Sequence, residues 1–136
     1  MRKIIIIFLL TASLPLCCFA KEPKRHLYYE KDYQQVWCDK NCGTTEHVLP
    51  DKARVDCVTA THAIEFDFAS KWAESIGQAL YYAEILQKEP GIVLIIENGK
   101  KDQKYIERVQ TVAQKRNIKL WLMYPSEMPN KKQNIN

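Results

Sequence analysis

The sequence predicts an α/β domain in which helices flank a mixed central sheet, and three observations carry this prediction. Residues 44–68 contain three short runs rich in β-branched residues, separated by turn residues, which is typical of an antiparallel meander. The segment 91–97 includes a continuous apolar run, as expected of a strand buried on both faces. Helical patterns lie on both sides of that segment, and strands that alternate with helices favour parallel pairing.

The composition is that of an ordinary globular domain. The chain has 136 residues, which is enough for one domain rather than two. Because 46% of the residues are hydrophobic and 26% are charged, wholesale disorder is excluded. Without the first two basic residues, 18 basic residues face 16 acidic ones, which gives a net charge of +2. That balance allows a polyanionic partner but does not require one.

The first twenty residues have the pattern of a secretory signal peptide. Two basic residues precede an apolar run over residues 4–16, and small side chains at Cys18 and Ala20 indicate cleavage after Ala20. The run is too short to cross a bilayer comfortably, so we expect no stable membrane span after cleavage. We therefore expect an exported protein, either periplasmic or secreted. The alternative is a lipid anchor through Cys17 or Cys18.

The remainder of the chain divides into three parts. We predict a leader segment over residues 21–28, a folded domain over residues 29–124 and a polar tail over residues 125–136. The folded domain opens with a helix predicted at 29–41, because apolar residues recur there at spacings of three and four. Gly43 follows as a stop signal for this helix.

Three strands are predicted next, at residues 44–49, 54–59 and 62–68. The third strand alternates cleanly, with Ile64 and Phe66 on one face and acidic residues on the other. The tight connections between the three strands favour antiparallel neighbours.

Two helices and two strands complete the domain. A long helix is predicted at residues 70–87, with Ser70 as its N-cap. The buried strand at 91–97 leads into a second helix at 102–116 and a final strand at 118–123. The order is therefore helix, three strands, helix, strand, helix, strand.

Three cysteines remain after the predicted cleavage, and export permits a disulfide among them. Cys38 and Cys42 lie one helical turn apart, so a bridge between them at the end of the first helix is the expected pairing. Cys57 lies in an apolar strand and is expected to be a buried, unpaired small hydrophobe.

Acidic residues occupy unusual positions within the predicted meander. Asp56 is embedded in an apolar strand, whereas Glu65 and Asp67 lie two residues apart on the next strand and share a face. If these strands form a hairpin, the three carboxylates lie close together. Such a cluster binds a hard cation such as Mg²⁺ or Mn²⁺, which prefers oxygen ligands. The alternative is a set of surface or salt-bridged charges on an ordinary sheet.

These residues resemble a motif of the PD-(D/E)XK nuclease superfamily, especially its RecB-like members. A strand aspartate, a hairpin to a strand with an acid, and a helix carrying Gln-x-x-x-Tyr match Asp56, Glu65, Gln78 and Tyr82. The resemblance covers residues 29–124. It implies an αβββαβ restriction-endonuclease-like core, metal binding by Asp56 and Glu65, and substrate contacts from Gln78 and Tyr82.

The sequence departs from that motif at one position. Asp67 occupies the place of the lysine that the resemblance implies for activating water and steadying phosphate. Asp67 offers a further metal ligand instead, and Lys71 at the start of the next helix is a candidate replacement for the lysine. The alternative for Lys71 is a solvated lysine. Glu46 is a candidate extra acid, although the family more often carries this residue on the first helix.

Two functions follow from the resemblance. The first is an exported Mg²⁺- or Mn²⁺-dependent nuclease that hydrolyses nucleic-acid phosphodiester bonds, with Asp56, Glu65, Asp67 and Lys71 as catalytic residues. The second is a catalytically inactive PD-(D/E)XK-like binding or structural module of the cell envelope. A third reading makes the acids plain surface charges of an envelope protein.

Overall fold

One mixed sheet of five strands organises residues 25–129, which are the residues described by the computed structural model. The strands lie side by side in chain order. The first three pair antiparallel, and the last two run parallel to the third. The strands are β1 (Thr44–Val48), β2 (Arg54–Val58), β3 (His62–Phe68), β4 (Glu89–Ile95) and β5 (Lys119–Met123).

Three helices cover the two faces of this sheet: α1 (Glu30–Lys40), α2 (Trp72–Leu86) and α3 (Gln103–Arg116). Alternate residues of β4 pack against different helices, because successive side chains of a strand point to opposite faces. Val93 lies in one core with residues of α1, whereas Ile92 lies in another with residues of α2 and α3. The predicted α/β class, the mixed central sheet and the order of elements are confirmed.

The alternation predicted for β3 positions the acidic residues. Ile64 and Phe66 belong to the core beneath α1. Glu65 and Asp67 pair in register with Ile92 and with a second residue of the α2–α3 core. The two carboxylates therefore lie on the sheet face that α2 and α3 cover.

The start of α2 differs from the sequence prediction. Ser70 is exposed and lies in a 3₁₀ turn, Ala69–Lys71, so it is not the N-cap. The helix begins at Trp72, with Lys71 in the N-cap position and no side-chain cap hydrogen bond. The 3₁₀ turn precedes the helix along the chain, and its first residue, Ala69, is buried in the core next to α3.

The disulfide joins Cys38 to Cys57, with 5.9 Å between their Cα atoms, so the predicted Cys38–Cys42 pairing is wrong. Cys38 faces the core from α1 and meets Cys57 of β2, whereas Cys42 follows the helix with a φ of 53° and is exposed and free. Gly43 passes so close that an added Cβ would lie 2.5 Å from one sulfur and 2.6 Å from the other. The bridge therefore connects α1 to β2 and requires glycine beside it.

The carboxylate of Glu97, just after β4, holds the segment that precedes α1. It accepts hydrogen bonds from the Leu27 backbone N–H and the Tyr33 hydroxyl, both at 3.0 Å, and it pairs with His26 Nδ1 at 2.7 Å. The His26 ring also stacks on Phe68. Residues 26–27 are thereby fastened to the end of β3 and β4.

The predicted signal peptide, with the alternative lipid anchors Cys17 and Cys18, lies outside the described residues. Residues 25–129 contain no helix that is long and apolar enough to cross a membrane.

Loss of the Cys38–Cys57 bridge should destabilise the domain. We expect Cys38→Ala/Cys57→Ala, or reduction of the wild type, to lower the free energy of unfolding by about 2–4 kcal/mol, because the bridge restricts the unfolded chain. Urea denaturation measures the change. Cys42→Ser is the matched control and should leave stability unchanged. Equal destabilisation by Cys42→Ser would contradict the pairing.

Candidate active site

The site begins where β2 and β3 separate. Their ladder has only two register pairs in the described structure, Cys57 with Ile64 and Val58 with Ala63. At the next position the Phe66 backbone N–H donates to Asp56 Oδ2 at 2.8 Å. A side chain thus replaces a backbone acceptor, and the Asp56 carboxylate is held between the two strands.

Glu65 and Asp67 lie beside this opening and are almost fully buried, at 5% and 2% exposure. Glu65 Oε2 and Asp67 Oδ1 are inaccessible and have no hydrogen-bond partner within residues 25–129. Burying a carboxylate oxygen without a partner costs free energy unless a proton or a cation neutralises the group. The two oxygens therefore mark a place where neutralising charge is needed.

Burial raises the pKa of all three strand acids. The pKa of Glu65 rises through burial and then through the nearby charges of Asp56 and Asp67, and the Glu65 carboxyl, in its protonated form, hydrogen-bonds to Asp56. Burial also raises the pKa of Asp56, against the stabilising Phe66 N–H. Burial raises the pKa of Asp67 to about 7. Burial and the mutual repulsion of these acids thus favour their protonated forms when no cation is bound.

Lys71 is the cation at this cluster. Its Nζ lies 3.7 Å from Asp67 Oδ1, and its side chain is 56% exposed. The charge of Asp67 raises the pKa of Lys71, so the ammonium form is favoured. Lys71 thus stands next to Asp67, the residue that occupies the expected lysine position, with its head group open to solvent.

Gln78 and Tyr82 lie one turn apart on α2, and Gln78 Nε2 donates to the Tyr82 hydroxyl at 3.2 Å. Tyr82 is 5% exposed. Burial raises its pKa, and the charges of Glu65 and Asp56 add to the rise. The two α2 residues therefore lie within the electrostatic field of the strand acids.

Glu30, in the first turn of α1, is a further acid near the cluster. Its charge adds to the raised pKa values of Asp56, Glu65 and Asp67, and burial raises its own pKa. Sequence reasoning missed Glu30, since an acid in the first turn of a helix is commonly explained by the helix dipole.

Glu46 lies opposite Asp56 across the β1–β2 pair and has a φ of 56°, which is rare for a residue with a side chain. It pairs with Arg54 at 3.0 Å. Glu30, Glu46, Arg54 and Asp56 are among the walls of an open cleft of about 840 Å³. The cleft gives solvent access to the Asp56 side of the cluster.

Carboxylate oxygens are the ligands that Mg²⁺ and Mn²⁺ prefer. Within residues 25–129, no three His, Cys, Asp or Glu side chains are arranged as a ready set of metal ligands. The Glu65 carboxyl forms a hydrogen bond with Asp56, as expected of neighbouring acids that share a proton. The two buried oxygens that accept no hydrogen bond within residues 25–129, on Glu65 and Asp67, nevertheless have the chemistry that such a cation requires.

Comparisons of the chain with protein-family models, with curated proteins and with solved structures found no match.

The buried acids should make stability depend on pH. Asp67 has a pKa of about 7 in the folded protein and 3.8 as its ordinary value, so the folded state holds the extra proton between these values. Without divalent cations, the ionisation of Asp67 alone should therefore lower the free energy of unfolding by about 3 kcal/mol as the pH rises from about 4 to about 7. Urea denaturation in EDTA across this range measures the change.

Asp67→Asn should make that pH profile shallower, because the amide does not ionise, while Asp56 and Glu65 keep their own contributions. Glu84→Gln, an exposed change near the C-terminal end of α2, is the control and should retain the wild-type slope. A profile in which the wild type gains stability toward pH 7 in EDTA would show that the acids are not buried as described.

Proposed function

We propose that the protein is an exported, metal-dependent nuclease of PD-(D/E)XK type that hydrolyses nucleic-acid phosphodiester bonds. The observation that carries the proposal is the grouping of Asp56, Glu65 and Asp67 where β2 and β3 separate, with two buried carboxylate oxygens that accept no hydrogen bond within residues 25–129. Carboxylates on apolar strands weaken a fold that uses them only for packing, since apolar residues fill such positions at lower cost.

Asp56, Glu65 and Asp67 are the residues that would hold Mg²⁺ or Mn²⁺. A divalent cation there supplies a bound water of lowered pKa and offsets charge on the phosphate. Glu65 and Asp67 must lose their protons for this, so the affinity of the site for the cation rises with pH. Glu30 adds negative charge to the same locus.

Lys71 takes the role of the missing motif lysine in this proposal. Its exposed ammonium group, anchored beside Asp67, is free to donate to a phosphate oxygen and to stabilise developing negative charge. Gln78 is half-buried and donates a hydrogen bond to the Tyr82 hydroxyl. We therefore assign Gln78 to substrate contact and Tyr82 to the positioning of Gln78. Because Tyr82 is buried, its own part in substrate binding is indirect.

The second candidate function is an inactive binding or structural module of the cell envelope. Asp67 at the lysine position favours it, because an aspartate cannot donate to a phosphate oxygen. In that case the raised pKa values describe a protonated structural cluster. Metal binding and cleavage separate the two functions.

Export rests on the signal-like first twenty residues. The Cys38–Cys57 disulfide supports it, since stable disulfides are typical of proteins in oxidising compartments.

The nuclease proposal predicts metal-dependent cleavage. Plasmid DNA, single-stranded DNA and RNA are incubated with the mature protein in Mg²⁺ or Mn²⁺ and then in EDTA. We expect cleavage that EDTA abolishes, and a loss of about 10²-fold or more in Asp56→Asn, Glu65→Gln and Lys71→Met. The first two variants remove proposed metal ligands, and the third removes the positive charge that acts on the phosphate.

Glu84→Gln and Lys115→Met are matched controls that remove an exposed acid and an exposed lysine away from the cluster, and both should cleave at the wild-type rate. No cleavage of any substrate by the wild type would refute the enzyme. If Lys71→Met keeps full activity while the acid variants lose it, Lys71 is an ordinary solvated lysine with no catalytic role.

Metal binding can be measured without activity. At pH 7.5 we expect Mn²⁺ at about 100 times its Kd to raise the free energy of unfolding by about 2.7 kcal/mol, because the cation binds only the folded site. Thermal unfolding with increasing Mn²⁺ reports this. Glu65→Gln should lose the effect and Glu84→Gln should keep it. A wild type that Mn²⁺ leaves unchanged would favour the inactive module.

A further inference from the structure

Four cations gather where the chain passes from β4 into α3. Lys100 and Lys101 lie in a 3₁₀ turn, Gly99–Lys101, and Lys104 and Arg108 lie one turn apart on the first half of α3. All four are exposed. Within residues 25–129, none of them lies within ion-pair distance of an acidic group. We call these four residues the α3 basic patch.

The basic patch stands at the unfavourable end of its helix. The N-terminus of a helix carries partial positive charge, so cations there cost stability. The first turn of α3 contains no acidic residue, and Asp102 before it is buried and accepts from the Asn98 backbone N–H at 2.9 Å. By contrast, Lys115 and Arg116 lie at the C-terminal end, where the helix dipole favours them. Helix stability therefore explains the second pair and not the patch.

Two aromatic rings underlie the patch. Lys104 Nζ lies 4.9 Å from the centre of the Tyr105 ring. The guanidinium carbon of Arg108 lies 5.7 Å from the centre of the Trp72 ring and 5.8 Å from that of Tyr105. Both rings are half-buried. Aromatic rings stack on bases, and neighbouring cations neutralise phosphates, so a surface that has both suits a nucleic acid.

The patch and the acidic cluster share one edge of the sheet. β3 and β4 are parallel, so the end of β3 with Asp67 and the end of β4 before the Gly99–Lys101 turn lie at the same edge. Trp72, beneath Arg108, directly follows Lys71. A ligand on the patch is therefore adjacent to the lysine that we assign to the phosphate.

We propose that the α3 basic patch binds a single strand of nucleic acid and leads it to the acidic cluster; this rests on the proposed nuclease function. Within residues 25–129 these cations have no acidic partner, and they lie at an unfavourable helix end, so they favour an anionic ligand. Aromatic rings beside cations favour unstacked bases, which a duplex does not offer.

Fluorescence anisotropy of a labelled 12-nucleotide single strand tests this, with the full mature protein in EDTA to prevent cleavage. Lys104→Gln/Arg108→Gln should weaken binding about tenfold, and should reduce the slope of log K against log salt by about 1.4, since two phosphate contacts are lost. Lys115→Gln/Arg116→Gln removes the same charge from the same helix and should change the Kd less than twofold.

Equal weakening by the two double variants would overturn the proposal, as would tighter binding of the matching duplex. Binding to anionic phosphatidylglycerol vesicles in place of the oligonucleotide, lost in Lys104→Gln/Arg108→Gln, would assign the patch to membranes and overturn it too. If the protein cleaves nucleic acid but Lys104→Gln/Arg108→Gln binds the strand as tightly as the wild type, the role of the patch is refuted and the nuclease proposal is not. Strand binding that depends on the patch, without cleavage under any metal, would refute the nuclease alone.

Discussion

The hydrogen bond from the Phe66 backbone N–H to Asp56 stops the β2–β3 ladder after two register pairs. If the ladder continued, backbone hydrogen bonds would pair β2 and β3 along their full length and leave no gap between them. Because a carboxylate takes the place of a carbonyl, the strands separate and Glu65 and Asp67 lie beside an opening. The Asp56 carboxylate held by this hydrogen bond also lines the open cleft, and Glu65 and Asp67 follow on the strand that it meets, with Lys71 beside Asp67.

Charge is distributed unevenly around that opening. The acids are buried, and lack of hydration rather than charge repulsion alone is the first cause of their raised pKa values. The cations, Lys71 and the residues of the α3 basic patch, stay in solvent at the same edge of the sheet. A site that needs positive charge thus lies next to a surface that needs negative charge, which is the complementarity expected of a protein that binds a cation and a polyanion together.

Much of this arrangement was predictable from local pattern. The period of two along β3 placed Glu65 and Asp67 on one face, and the structure confirms it. The partner of Cys38 was not predictable, because it depends on how α1 packs across β2, a contact over 19 residues of chain. Glu30 was missed for the same reason: its sequence neighbours give it an ordinary role in the first helical turn, and only the packing of α1 brings it to Asp56.

The Cys38–Cys57 bridge ties the helix that carries Glu30 to the strand that carries Asp56. In a reducing cytoplasm this tie is lost, and the two halves of the acidic cluster are held together only by packing. Under the proposed function, a covalent bond would fix the position of Glu30 relative to Asp56 only in an oxidising compartment. The rigidity of this side of the acidic cluster would then depend on the redox state of the surroundings.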